Sequence, residues 1–243
     1  MTEPRVPVLI ATTNRGKLVE IRALLEGLPI ELLSLSDVLP HSPPVEETGA
    51  TFLENALLKA RAGASASGLL TLADDSGLEV DAISGEPGVY SARYAGEGAT
   101  SAANNTKLLA ALEGVADDRR TARFRCSLVM VDPARPDDHK STDGTCEGVI
   151  ARAPRGSGGF GYDPLFLVRE GGEGGTDAAD AADSRSENPM SGPTMAELSE
   201  ADKNRVSHRG RAFIAMRPIL EAELGRRRGA PGQARRDQNE APT

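Results

Sequence analysis

Tryptophan is absent from this chain, and the other large aromatics are scarce, with five phenylalanines and three tyrosines. Two of these standing close together in a glycine-rich loop, Phe160 and Tyr162, therefore call for an explanation. Only two cysteines are present, Cys126 and Cys146. They are too few for a disulfide scaffold or a four-thiolate zinc site, and they place the chain in a reducing cytoplasm. No apolar run approaches the ~20 residues of a membrane-spanning helix, which excludes an integral helical membrane protein. The opening stretch, MTEPRVPVLIATTN, closes too soon on polar residues to read as a secretory signal. An excess of base is also missing: 28 Lys and Arg face 36 Asp and Glu, for a net charge of -8. Binding duplex DNA through many phosphates normally requires the opposite balance.

With 39% hydrophobic and 26% charged residues over 243 positions, the chain can bury a substantial core and read as one α/β domain. Two segments fall outside it. Residues 170–193 are acidic and small-residue-rich, and residues 225–243 are arginine-rich; neither has much to bury, so both are expected to be disordered. The domain then covers residues 1–224 with the acidic insert inside it.

The pattern alternates strands and helices. Val6 to Ala11 is a short apolar run suited to a buried strand. Thr12, Thr13 and Asn14 offer caps to a helix carrying Leu18, Ile21, Leu24 and Leu25 up to Gly27. Thr51 and Glu54 form a capping-box pattern that opens a second helix through Lys59 to about Ser67. Leu69 to Ala73 reads as a strand that stops at Asp74-Asp75-Ser76-Gly77, and a third helix spans about Thr100 to Leu112. Alternation from Ala122 to Met130 marks a strand with one wet face. Gly148–Ile150 and Leu165–Val168 are further strand candidates. A last helix starts near Ser207, and Pro218 either kinks it or ends it early.

Several clusters could carry chemistry. The helix start with Lys17 suits an anion, though an ordinary capped helix explains it equally. Asp74 and Asp75 sit where open α/β sheets bind ligands, and adjacent acids are also common turn residues. Glu46 and Glu47 could join an aspartate around Mg²⁺, which takes one or two carboxylates plus phosphates and water; a solvated acidic loop is the alternative. Gly156-x-Gly158-x-x-Gly161 formally matches a dinucleotide fingerprint, but Tyr162-Asp163-Pro164 follows it where a helix should start, so that reading is rejected. Gly16-Lys17 lacks the earlier glycine of a P-loop. Phe160 and Tyr162 suit stacking on a base better than core packing. Ser207-His208-Arg209-Gly210 has no partnered nucleophile.

In order along the chain stand Thr12-Thr13-Asn14-Arg15-Gly16-Lys17, Glu46-Glu47-Thr48-Gly49 with Thr51 to Ala60, and Ala73-Asp74-Asp75-Ser76-Gly77-Leu78. Pro87-Gly88-x-Tyr90-Ser91-Ala92-Arg93-Tyr94, Gly159-Phe160-Gly161-Tyr162-Asp163-Pro164 and Ser207-His208-Arg209-Gly210 follow. Together these motifs resemble the inosine triphosphate pyrophosphatase family, over roughly residues 6–168 and 194–222. The resemblance implies an elongated α/β mixed-sheet fold of two lobes with the active site in the cleft between them, and a homodimer. It implies hydrolysis of ITP, dITP or XTP to the monophosphate and pyrophosphate. Glu47 and Asp75 then match the Mg²⁺-binding positions, and Asp75 also the proton acceptor for the attacking water. Thr12, Thr13, Asn14, Arg15, Gly16, Lys17 and Ser76 match phosphate-gripping positions, with Lys59 as a helper. Phe160, Gly161, Tyr162, Asp163, Lys203, His208 and Arg209 match those that hold the purine. A hydrolase of other modified nucleotides is one rival reading. A non-catalytic nucleotide sensor or nucleic-acid module using the arginine tail is another.

Overall fold

The computed structural model of the protein describes residues 5–169 and 190–229. β1 (Val6–Ile10) runs into Asn14, whose side chain accepts the Lys17 N–H at 3.1 Å and caps α1 (Arg15–Leu24). β2 (Ile30–Ser34) and the single turn of α2 (Leu35–Val38) follow. α3 (Phe52–Ser67) starts on the reciprocal Thr51–Glu54 capping box and stops at Gly68, whose φ of 68° is left-handed and favours glycine. Then come β3 (Leu70–Val80), α4 (Ser101–Ala111), β4 (Thr121–Asp132), β5 (Arg135–Ile150) and β6 (Phe166–Val168). α5 (Glu200–Val206) and α6 (His208–Gly229) complete the fold.

The strands form one mixed sheet in the order β2-β1-β3-β4-β5-β6. β1 pairs parallel with β2 and β3, and the pairs from β3 to β6 are antiparallel. The chain is therefore a mixed α/β protein. Its core divides along the long strands β3 and β4. At one end Ile10, Leu72 and Leu128 meet Ile21 of α1 and Phe213, Met216 and Leu220 of α6. At the other, Leu78, Phe124 and Ile150 pack with Leu108 and Leu112 beside α4 and with Phe166. α3 lies against Ala73, Val129 and Val131 through Ala56, Ala60 and Ala64. This stripe of small residues lets the helix backbone approach the sheet. No helix among the described residues is long and apolar enough to cross a membrane.

Four expectations change. The strand thought to stop at Asp74 continues to Val80, so the acids lie within β3 rather than at its end. Of the two outcomes expected at Pro218, a kink or an early end, the early end is excluded, because α6 runs on to Gly229. Residues 225–229, expected in the tail, are its last turns; Arg227 ties that end to Asp132 at 2.6 Å and Glu223 at 2.9 Å. Residues 190–193, expected in the acidic insert, lie beside β6, with the Val168 N–H donating to the Pro193 carbonyl at 3.1 Å. The rest of the expected insert, 170–189, and of the tail, 230–243, falls outside the described residues.

Candidate active site

Adjacent side chains on a strand point to opposite faces, and β3 uses this to divide two buried acids. Asp74 is 1% exposed and Asp75 is 6% exposed. On one face, Asp74 Oδ2 meets Lys17 Nζ at 2.9 Å and Arg209 Nη2 at 3.2 Å. Burial opposes this carboxylate's charge, but Lys17, Arg209 and Lys59 outweigh it and hold its pKa far below the usual range. Arg209 is enclosed by acceptors: Nε and Nη2 donate to Asp74, Nη2 also to Ser76 Oγ at 2.9 Å, and Nη1 to Glu20.

On the other face, the Lys59 ammonium lies 2.8 Å from Asp75 Oδ1 and 2.6 Å from Glu47 Oε1. Asn55 Nδ2 donates to Asp75 Oδ2 at 3.4 Å, while its own Oδ1 accepts the Gly49 N–H at 2.8 Å and so anchors the Glu47 loop. Burial raises the Asp75 pKa, against the opposing pull of Lys59 and Lys17. A carboxylate held above its usual range is better matched to accepting a proton.

A third group comes from the glycine-rich loop. Asp163 starts a short 3₁₀ turn, and its Oδ2 accepts the Phe160 N–H at 2.8 Å and Lys203 Nζ at 2.7 Å. Lys203 also pairs with Glu20. The Phe160 ring lies 5.0 Å from Lys203 Nζ and 5.7 Å from the Arg209 guanidinium carbon. It also covers Gly16, where a Cβ would come within 2.6 Å of the ring. The glycine of the Thr12–Lys17 motif therefore makes room for the aromatic. His208 stacks on Phe124 with ring centroids 4.7 Å apart. Burial drives its pKa well below 6.5, so the ring is neutral, and its Nδ1 is buried without a hydrogen-bond partner. Tyr162 is 5% exposed, with its hydroxyl donating to the Ser91 carbonyl at 2.9 Å, and it still contributes to the cavity wall. Phe160 alone remains half-buried, free to stack.

One cavity of about 710 Å³ joins all three groups. Its walls include Thr12, Thr13, Asn14, Lys17, Glu47, Lys59, Asp75 and Ser76, together with Phe160 to Asp163, Lys203, His208 and Arg209. Residues 8–219 match the family model described as Ham1 family. The chain belongs to the Ham1 family. Curated relatives named dITP/XTP pyrophosphatase include that of Geobacter sulfurreducens, 50% identical over 88% of this chain and 96% of the relative. That of Bacillus licheniformis is 44% identical over 88% and 97%. A solved HAM1 protein from Coxiella burnetii superposes with a TM-score of 0.73 at 39% identity, covering 89% of this chain and 99% of the other. A nucleoside-triphosphatase / dITP/XTP pyrophosphatase from Mycobacterium abscessus gives 0.64 at 42% identity, covering 88% and 100%. The family reached by comparison agrees with the resemblance carried by the motifs.

In this Ham1-family chain, Arg15 and Gly16 are the two expected site residues outside the cavity wall: Arg15 is exposed and Gly16 lies beneath Phe160. Glu46, weighed as a metal ligand, is exposed and also absent from the wall, so only Glu47 of that pair faces Asp75. Sequence reasoning missed Glu20 and Asn55. The signal was helical spacing: Glu20 follows Lys17 by one turn, and Asn55 precedes Lys59 by one turn. The donor chemistry fits a hard cation. Glu47 and Asp75 already share one positive charge, and both offer only oxygen. No cluster of three His, Cys, Asp or Glu side chains suited to a metal occurs among the described residues. A hard cation held by Glu47 and Asp75 would need further oxygen ligands from outside the chain.

Proposed function

We propose that the protein hydrolyses the deaminated purine nucleotides ITP, dITP and XTP to the monophosphate and pyrophosphate, cleansing the nucleotide pool in the cytoplasm as a homodimer. One observation carries this reading. A single cavity connects the Glu47–Lys59–Asp75 cluster to a half-buried aromatic flanked by Asp163 and Lys203, with His208 in the same wall. The name shared by the relatives supplies the substrate class.

Within this reading the base lies on Phe160 between the core end of β3 and the Lys203–Asp163 pair. Hypoxanthine and xanthine carry a carbonyl at position 6 where adenine carries an amino group. Donors fixed in the base pocket pair with the first and meet another donor in the second, at a cost of ~1–3 kcal/mol per unpaired group. Neutral His208 supplies a ring N–H or a lone pair there. Arg209 is a weaker base reader than the motif implied, because its Nε and both terminal nitrogens already donate to Asp74, Glu20 and Ser76. Its role becomes positioning Ser76 and Asp74.

The phosphates lie along the Thr12–Lys17 loop, where helix α1 presents free N–H groups and Lys17 adds a charge. Asp75 takes the proton of the attacking water. Lys59 keeps the two carboxylates apart and charge-matched before substrate arrives. A Mg²⁺ held by Glu47 and Asp75 would supply charge neutralisation to the phosphates, the main requirement of phosphoryl transfer. The two-lobed reading of the fold rests on the division of the core along β3 and β4, with the cavity beside that division. Phosphorus NMR of ITP turnover tests the reaction: IMP and pyrophosphate are expected in equal amounts, and IDP with orthophosphate would overturn it.

A further inference from the structure

The cavity does not end at the carboxylates. Positions along β3 order its parts. His208 stacks on Phe124, which pairs with Leu78 across the sheet. Arg209 contacts Ser76 and Asp74, and Lys59 contacts Asp75. One turn further along α3, Gly63 packs against Thr71 and Ala11. The cavity thus passes from the base end on the Asp74 face, lined by His208 and Arg209, to the Asp75 face at Lys59, and on into an extension walled by Leu35, Leu39, Pro43, Pro44, Ala62 and Gly63. β2 places this wall: Ser34 pairs with Ile10, so the segment after it lies beside the start of the phosphate loop.

The chemistry of the extension is unlike that of the phosphate site. None of the cavity-lining residues between Leu35 and Val45 is charged. A further phosphate would find no cation there. Leucine and proline faces instead suit a flat heterocycle, whose stacking tolerates any base. In the same wall Ser36, whose own proton goes to Ser34, and Ser42 present hydroxyl oxygens that can accept from a sugar. A volume of about 710 Å³ also lies in the upper half of the ~300–1,000 Å³ typical of small-molecule clefts.

We propose that this extension receives a second nucleoside attached to the terminal phosphate, so that dinucleoside polyphosphates with a deaminated purine at one end are substrates of the same site. This rests on the reading of the site given above. The step balances without any co-reactant. Water oxygen bonds to the α-phosphorus, the bond from that phosphorus to the α–β bridging oxygen breaks, and the electron pair leaves on the β-phosphate. The water proton passes to Asp75 and then to solvent. From a triphosphate-bridged substrate the products are a nucleoside monophosphate and a nucleoside diphosphate. Tethering through the phosphates gives the second nucleoside a high effective concentration at its wall.

The test uses the full-length protein with Mg²⁺, diinosine 5′,5′-triphosphate and, in parallel, ITP. IMP and IDP are expected from the dinucleotide, with kcat/KM within about tenfold of that for ITP. Filling the extension with Ala62→Leu, or thinning its wall with Leu39→Ala, should lower kcat/KM for the dinucleotide by about tenfold. Both variants should leave ITP within about twofold, which also reports that each variant folds. ITP turnover without cleavage of the dinucleotide overturns the proposal, whether or not the dinucleotide binds. Equal losses on both substrates in both variants also overturn it. Failure to hydrolyse ITP at all overturns the underlying reading of the site and this proposal with it.

Discussion

The two adjacent aspartates of β3 should respond oppositely to the same substitution. Asp74→Asn removes the charge from a carboxylate that is 1% exposed and paired with Lys17 and Arg209. Removing one partner of a buried pair typically costs ~3–5 kcal/mol. Arg209 keeps Glu20 as a counter-charge and the Lys17 side chain is 12% exposed, so the low end applies, about 3 kcal/mol. For a domain of this size each kcal/mol lowers Tm by roughly 2–4 °C, giving a fall of about 6–12 °C. Asp75→Asn differs. Lys59 keeps Glu47 at 2.6 Å, and the neutral amide relieves the burial that raises the Asp75 pKa. Stability should therefore stay within about 1 kcal/mol, while turnover falls at least ~10²-fold through loss of the proton acceptor. Thermal unfolding and steady-state hydrolysis of ITP by both variants read the two effects side by side. An unchanged Tm in Asp74→Asn, or near-normal turnover in a folded Asp75→Asn, would refute the division of labour between the faces.

Three further outcomes follow from the geometry. His208 is neutral in the fold because burial lowers its pKa well below 6.5, whereas in the unfolded chain it takes a proton near 6.5. Its contribution is therefore complete above about pH 6.5 and is lost as pH falls, by up to ~1.4 kcal/mol per unit; urea midpoints between about pH 5 and 7.5 should show this slope reduced in His208→Phe, and identical slopes would contradict it. Phe160→Ala should raise KM for ITP by the ~1–3 kcal/mol of a lost base stack. Gly16→Ala, which would push a Cβ to 2.6 Å from that ring, should raise KM in the wild type and add little in the Phe160→Ala background, so strictly additive effects would separate the two residues.

Much of the fold was legible because local signals and tertiary packing agree. The Thr51–Glu54 capping box, the Gly68 stop and the apolar run of β1 depend on neighbours in sequence. β3 was cut short for the opposite reason. Asp-Asp-Ser-Gly is a turn composition, and it stays in a strand only because Lys17, Lys59 and Arg209, from three separate helices, supply cations to both faces. β5 was seen only at its buried end, since Arg135 to Thr145 is mostly charged or polar and pairs with β4 along an open face. α5 escaped because seven residues with one buried side chain, Lys203, carry no apolar period. Composition sets Phe160 and Tyr162 apart as a pair but does not show that the turn at Asp163 buries Tyr162 between the core and the cavity wall. The motifs mark the cavity well; what they do not show is that Arg209 already donates to Asp74, Glu20 and Ser76.

Substrate preference tests the central claim most directly. With purified protein and Mg²⁺, kcat/KM for ITP, dITP and XTP should exceed that for ATP by at least ~10²-fold, the discrimination expected when a buried donor loses its acceptor. Monophosphate and pyrophosphate should be the products throughout. Equal kcat/KM for ITP and ATP would contradict the account.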